Sequence, residues 1–492
     1  MLFNSYTYIL AFLPAALLVF HVLRRMRLHR TSMLSLVVFS LIFYGWWNPV
    51  YLLLLVPLTL ANFAIATRIA RARDSRMTLA RALMIIGVTG NLAVLAYFKY
   101  ANFFVANVNS LLGLEWVVAA VVLPLGISFF TFQKIAYVVD SYRGKIDRYD
   151  LLEFALFVSF FPQLIAGPIV HHSEVLPQFR RPSVALNHLF PLGLTIFVIG
   201  LAKKVLLADS AAHYATPAFD AAAAGDRLGL WGAWNGVLAY TAQLYFDFSG
   251  YTDMAIGAAL LFGIRLPLNF ASPYKARSII DFWRRWHMTL SRFLRDYLYV
   301  PLGGNRHGEA RRYANLLATM ILGGLWHGAN WTFVFWGALH GAYLVVNHLW
   351  RAIRTRLAFL PAAPGRIELW AGGVITFLAV VVGWVFFRAS DLAAALNMLA
   401  AMAGAHGVDG GTAMESARPS LAIGALLLLC WLAPNTQEIT RYQGPAGTDA
   451  SPSARVVLTW RPTPAWGITV ACLFALVLMN LSKVSEFLYF QF

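Results

Sequence analysis

Apolar residues fall in long runs separated by short polar or basic stretches. The runs cover 6–23, 32–47, 50–67, 82–98, 116–132, 154–170, 189–207, 228–246, 313–331, 332–350, 369–387, 420–433 and 465–482. A helix that crosses a hydrocarbon core needs ~20 mainly apolar residues, so this pattern predicts membrane-spanning helices. Several runs are short or interrupted by Gly and Pro, which reduces the expectation to roughly eleven crossings, the rest being re-entrant. The run Met254–Ile264 is too short to cross and predicts a half-helix. The polar stretches 208–227, 388–418 and 435–463, rich in Ala, Gly, Ser and Pro, predict loops. With no internal repeat, no heptads and no long soluble segment, the expectation is one membrane-embedded all-α domain over residues 1–492.

Composition agrees with the pattern. The chain is 59% hydrophobic and 12% charged, about half the charge of an ordinary soluble domain. Mean hydropathy is +0.63. The two cysteines, Cys430 and Cys472, lie in apolar runs and read as inert thiols. The start Met1–Tyr6 has no basic region, and the run that follows is closed by Arg24, Arg25, Arg27 and Arg30. That predicts an uncleaved spanning helix, not a secretory signal.

Charge then orients the chain. Arg24–Arg30 carries four arginines, and Arg68–Arg81 carries five against one Asp, while Asn48-Pro49 alone separates the two intervening runs. Basic loops stay in the cytoplasm, so the N-terminus is expected outside and Lys134–Glu153 and Arg265–Arg312 inside. From Lys275 to Arg312 there are nine basic and three acidic residues, a net of +6. The whole-chain net charge of +17 therefore reads as cytoplasmic loops and contact with anionic membrane lipids, not as nucleic-acid binding.

Against this background a few polar residues stand out. Tyr313–Trp350 contains no Lys, Arg, Asp or Glu, yet holds His327 within Gly323-Gly324-Leu325-Trp326-His327-Gly328-Ala329-Asn330-Trp331. If the helix enters at Tyr313, His327 lies roughly 20 Å deep, past the midplane of the core. An imidazole there is costly, and marks a functional site by default. Upstream, Asp281-Phe282-Trp283-Arg284-Arg285-Trp286-His287 opens a stretch in which Trp283, Trp286, Leu290, Phe293, Leu294 and Tyr297 share a helical face. It predicts an amphipathic helix at the cytoplasmic boundary, either a lipid-phosphate binder or a funnel wall for an anionic donor. Tyr245–Asp253 holds Asp247 and Asp253, which suit capping of the expected half-helix or orientation of an imidazole. Phe161-Pro162-Gln163-Leu164-Ile165-Ala166-Gly167-Pro168 predicts a broken helix lining a cavity. Lys203 and Lys204 are expected to snorkel at a helix end.

Competing chemistries lack their motifs. There is no phosphate-binding G-x-x-x-x-G-K-[ST] loop, no G-x-S-x-G elbow, no D-x-D pair, no H-x-x-x-x-D acyltransferase centre and no H-x-x-x-H zinc spacing. The site is expected to hold no metal.

The ordered motifs Asp281–His287, Leu298-Tyr299-Val300-Pro301-Leu302-Gly303-Gly304, Trp326–Trp331, Tyr245–Asp253 and Phe161–Pro168 resemble the membrane-bound O-acyltransferase superfamily. The resemblance points to the bacterial branch of alginate O-acetylation proteins and of the D-alanyl transfer protein of teichoic acid modification. It spans nearly the whole chain and is clearest over 120–345. It implies a shell of about eleven transmembrane helices around a central tunnel. It also implies a catalytic histidine deep inside, which maps to His327, and a second histidine nearer the cytoplasmic mouth, which maps to His287.

The activity expected from these signals is transfer of an acetyl group from a cytoplasmic thioester, acetyl-CoA or an acyl carrier, through the membrane. The acceptor is expected to be a hydroxyl of an extracytoplasmic polysaccharide such as alginate or cellulose, reached directly or through a periplasmic acetyltransferase partner. The setting is the bacterial inner membrane, and no tightly bound cofactor is expected. A general base near pKa 7 assists attack by a hydroxyl, a task suited to neutral His327. His287 is expected to bind the thioester arm or relay the proton, and Trp326 or Asn330 to stabilise the oxyanion or orient the ring. Trp283, Arg284, Arg285 and Asn330 are the candidate donor-binding residues. A transporter or flippase, or a non-catalytic scaffold of a polysaccharide export complex, is the alternative. Paired broken segments in two halves, the mark of many transporters, are absent.

Overall fold

The computed structural model describes residues 1–117, 121–146, 150–180, 186–356, 364–408, 417–445, 458–481 and 488. Among them every regular element is helical. The chain divides into two compact units. One comprises Met1–Ala202, Tyr251–Leu268 and Thr440–Val484; the other comprises Lys203–Gly250, Asn269–Ile439 and Ser485–Phe492.

The first unit contains α1 (Leu13–Arg25), α2 (His29–Gly45), α3 (Leu52–Ala72), α4 (Met77–Leu112), α5 (Ile127–Tyr142), α6 (Leu151–Ser159), α7 (Phe161–Leu164), α8 (His172–Arg180) and α9 (Leu186–Ala202). α1 packs on α2, and α3, α4 and α5 pack on one another. Asn62 and Asn91 pair their buried side-chain amides across the α3–α4 contact, with Asn91 Nδ2 donating to Asn62 Oδ1 at 2.6 Å. In an apolar setting such amides satisfy each other because water is excluded. The break between α6 and α7 falls at Phe160, one residue before Phe161-Pro162. Proline removes a backbone donor and its ring clashes with the carbonyl four residues back, so α6 cannot run on through Pro162. Gln163 Nε2 fills part of the gap by donating to Phe157 O at 2.8 Å.

The second unit is built from α10 (Asp209–Ala224), the first part of α11 (Leu230–Leu261), α12 (Ile279–Trp283), α13 (Met288–Leu294), α14 (Gly308–His327), α15 (Trp331–Arg356), α16 (Arg366–Arg388), α17 (Leu392–Met402), α18 (Ala417–Leu432) and α19 (Thr436–Thr440). α20 (Pro464–Asn480) belongs to the first unit, where it packs on α9. α14 and α15 form an antiparallel hairpin, and α16 packs on α15. Their backbones touch at Gly324 and Gly337. A Cβ on Gly324 would collide with Phe333 O, and one on Gly337 with Met320 O. Only glycine permits that approach.

Five helical stretches are long and apolar enough to cross a membrane among the described residues: Thr7–Arg25, Pro49–Ala72, Met77–Leu112, His188–Ala224 and Arg366–Arg388. Three shorter apolar helices, Leu392–Met402, Arg418–Leu432 and Pro464–Asn480, accompany them. The protein is an all-α polytopic membrane protein.

Several expectations are corrected. The half-helix over Met254–Ile264 does not exist, since α11 runs unbroken for 32 residues. Asp247 and Asp253 therefore cap nothing and are buried within that helix. Lys204 does not snorkel. It is buried, with Nζ 2.7 Å from Asp247 Oδ1 and 2.8 Å from Asp209 Oδ1, because a buried ammonium needs paired charge. The expected loop 208–227 is mostly α10, whose alanines favour helix. Part of 388–418 is α17, capped when the Asp391 side chain accepts from Ala394 N at 2.8 Å. The expected span 116–132 is displaced, with helix starting only at Ile127; residues 118–120 lie outside those described.

Candidate active site

The amphipathic helix expected over 281–297 is broken in the middle. α12 starts where Ser278 Oγ accepts from Asp281 N, and ends at Trp283. The chain then turns through His287, whose φ is +42°, a region a non-glycine residue enters at a cost of about 1–3 kcal/mol. Asn269 holds this turn. Its backbone oxygen accepts from Met288 N at 3.0 Å, and its Oδ1 accepts from Thr289 N at 3.3 Å and Thr289 Oγ1 at 2.9 Å. The hydrophobic face drawn from sequence was real in composition, but a hydrogen-bonding partner 18 residues upstream outweighs helical continuity.

The turn also decides the chemistry of His287. Its Nδ1 lies 3.1 Å from the same Asn269 Oδ1. An oxygen that already accepts a backbone N–H must be the acceptor here too, so His287 carries its proton on Nδ1. The lone pair is then on Nε2. The side chain is fully buried, edge-on to Phe248 at 4.8 Å, and Nε2 has no hydrogen-bond partner among the described residues.

His327 is the last residue of α14, where Gly328 leaves the helix in extended conformation. It is 6% exposed, and so faces the interior and not hydrocarbon. Trp326, Trp336 and Phe387 surround its ring at centroid distances of 4.8, 5.2 and 5.1 Å. Trp326 also lies 6.3 Å from the His287 ring. The structure thus brings together the two histidines singled out from the sequence, with Trp326 in contact with both.

The other candidates separate by role. Trp283 packs on Trp336 at 5.7 Å, which places it against the same aromatic cluster. Arg284 is exposed and Arg285 half-buried. Arg285 Nε donates to Asp281 Oδ1 at 2.8 Å and Nη1 to Ala271 O at 3.2 Å, so its guanidinium ties the turn together. Asn330 Nδ2 donates to Ser390 O at 2.6 Å and its Oδ1 accepts from Thr332 N at 3.0 Å. It caps α15 and fastens it to the segment after α16.

Three features escaped the sequence. Asn269, which sets the His287 tautomer, carries no motif of its own. His340 shares the charge-free stretch with His327 and is fully buried against Trp336 at 4.8 Å and Trp283 at 5.3 Å, with neither ring nitrogen hydrogen-bonded among the described residues. Its signal was visible, since it too is an imidazole in an apolar run. In the first unit, Asp140 gathers His171 and His172. The His171 Nε2 lies 2.6 Å and the His172 Nε2 3.3 Å from Asp140 Oδ2, and Arg143 lies 3.7 Å from Oδ1. The donor set could hold a metal ion. A spacing scan misses it because the carboxylate comes from a distant helix.

The family model for membrane-bound O-acyltransferases matches residues 78–390, which include His287 and His327. The chain belongs to the membrane-bound O-acyltransferase family. It is 44% identical to a peptidoglycan O-acetyltransferase of Helicobacter pylori over 83% of this chain and 81% of that protein. It is 40% identical to a probable alginate O-acetylase AlgI of Azotobacter vinelandii over 100% of both chains. A teichoic acid D-alanyltransferase of Streptococcus thermophilus is 28% identical over 54% of this chain and 68% of that protein. As a membrane-bound O-acyltransferase the chain is a multi-pass membrane enzyme of acyl transfer.

Proposed function

We propose that this membrane-bound O-acyltransferase moves an acetyl group from a cytoplasmic thioester to a hydroxyl of an extracytoplasmic polysaccharide of the alginate type, in the bacterial inner membrane. The observation that carries the reading is the pair of buried imidazoles, His287 and His327, in contact with one indole. Relatives named for acetylation of alginate and of peptidoglycan support the acetyl group and the polymer class. The basic stretch Lys275–Arg312 supports an anionic donor arriving from the cytoplasm.

In the proposed step, neutral His327 takes the hydroxyl proton as the oxygen attacks the thioester carbonyl. The new C–O bond forms, the C–S bond breaks, and the imidazolium returns the proton to the leaving thiolate. Aromatic walls around His327 keep bulk water from the reacting atoms. His287, its proton fixed on Nδ1, offers Nε2 as an acceptor toward the donor arm or the moving proton. The acceptor is the polymer itself or a periplasmic partner that passes the acetyl group on.

The test is His327→Ala in a strain making the polymer. Acetyl content should fall by about two to four orders of magnitude, with protein level unchanged. Undiminished acetyl content at normal protein level removes His327 as the base.

A further inference from the structure

The first unit holds a hydrogen-bonded chain of side chains that the transfer chemistry does not use. Asp140 lies buried near the end of α5. His171 and Ser173 lie at the start of α8, the first half-buried and the second exposed. His171 Nε2 is 2.6 Å from Asp140 Oδ2, and His171 Nδ1 is 2.7 Å from Ser173 Oγ. Carboxylate, imidazole and hydroxyl thus stand in the order that activates a serine.

The tautomer agrees with that order. Ser173 N donates to His171 Nδ1 at 3.4 Å, so Nδ1 carries the lone pair and Nε2 the proton. Nε2 therefore donates to Asp140, and the Ser173 hydroxyl donates to Nδ1. Compared with the commoner arrangement the two ring nitrogens have exchanged partners, and the path of the proton is the same. The Asp140 side chain is 1% exposed, against 27% for His171. A buried carboxylate facing an imidazole N–H stabilises the imidazolium that forms when the ring takes a proton.

Capping of α8 does not account for the cluster. It explains the contact of Ser173 N with His171, and that of His171 N with Glu174 Oε2 at 2.8 Å. It has no need of a carboxylate 31 residues upstream on another helix. α8 contributes in a second way. The leading N–H groups of a helix lack intrahelical acceptors and favour negative charge, so the turn that carries Ser173 suits an oxyanion. Because Ser173 is exposed, its substrate arrives from solvent, which favours a short acyl group on a soluble leaving group over a lipid.

We propose that Ser173, His171 and Asp140 form a second nucleophilic site, which hydrolyses short-chain soluble acyl esters and thioesters through an acyl-serine. Ser173 Oγ attacks the carbonyl carbon while His171 Nδ1 takes the hydroxyl proton. The new C–O bond forms, the bond to the leaving alkoxide or thiolate breaks, and that group leaves with the proton from Nδ1. Water then attacks the acyl-serine and gives its proton to Nδ1. The acid departs and Ser173 regains its proton, so ester and water become acid and alcohol or thiol.

The experiment treats the purified full chain in lipid nanodiscs with a fluorophosphonate, which loses fluoride to an activated serine, and with p-nitrophenyl acetate. Labelled and acetylated residues are identified by peptide mass spectrometry, in wild type and in His327→Ala to separate this site from the transfer site. Both reagents should modify Ser173. Asp140→Asn and His171→Gln should slow modification by about a hundredfold or more. Free imidazole should restore it in His171→Ala and not in Ser173→Ala, a rescue that a purely structural role of His171 does not give. Thermal unfolding checks each variant, and the half-buried His171 keeps the test available if Asp140→Asn fails to fold. The proposal is overturned if Ser173 stays unmodified in wild type, or if the His171 variants react as wild type does. A metal ion on Asp140, His171 and His172 would need the His171 Nε2 lone pair. Modification that appears only after a chelator strips such an ion would therefore overturn the proposal as well.

Discussion

The two histidine clusters of this protein are built on opposite principles. In the first unit His171 and His172 face Asp140, and Arg143 adds a further charge to the same carboxylate. In the second unit His287, His327 and His340 have as ring neighbours Phe248, Trp326, Trp336, Phe387 and Trp283. An imidazole beside a buried carboxylate becomes part of a hydrogen-bonded strut. An imidazole walled by rings sits instead in an apolar surround. Residue type is the same in both places, and the neighbours decide what it does.

The comparison can be broken by mutation, most sharply at His287. His287→Ala should lower acetyl transfer per folded molecule by about a hundredfold or more, whereas Asp140→Asn should leave transfer per folded molecule intact. Equal losses in the two variants would erase the distinction. Next comes Asn269→Ala, which removes the acceptor that fixes the His287 proton and supports its left-handed turn. Transfer should fall about tenfold to a hundredfold, the range seen when an orienting partner is lost, and His287 Nδ1 should lose its hydrogen-bonded proton signal in NMR. No change in either would mean that the tautomer is irrelevant.

Effects on the strut should appear in stability. Asp140→Asn leaves His171, His172 and Arg143 without their carboxylate and should cost about 1–3 kcal/mol, less than a fully buried pair because His171 and Arg143 remain partly solvated. Unfolding of the purified protein in detergent measures it. The smallest effect is on pH dependence. Burial pushes the His172 imidazole below the usual histidine range, against the upward pull of Asp140. The unfolded chain therefore takes up a proton near pH 6.5 that the folded chain refuses. Stability from this group is present above that pH and declines as pH falls through it. His172→Phe should flatten the decline, and an unchanged profile would remove His172 as its source.

Particular residues show how far the sequence could be read. His327 was legible because an imidazole in a charge-free run is rare and expensive, and His287 because it stood in an ordered motif beside it. The break at His287 was not legible, since it depends on Asn269 Oδ1 reaching back to Thr289. The continuity of α11 was hidden for a related reason. Asp247 looked like a terminus signal, but Lys204 neutralises it inside the helix.

The sequence by itself determined that this is a helical membrane protein, and it singled out His287 and His327 as candidates for its chemistry. Those conclusions follow from local quantities: run length, charge bias and the cost of a polar side chain in an apolar stretch. The tertiary structure alone decided which nitrogen of His287 carries the proton and which charges are spent on one another. Each of these depends on a partner far away in the chain, because hydrogen bonds and ion pairs act across space and leave no periodic trace along a sequence.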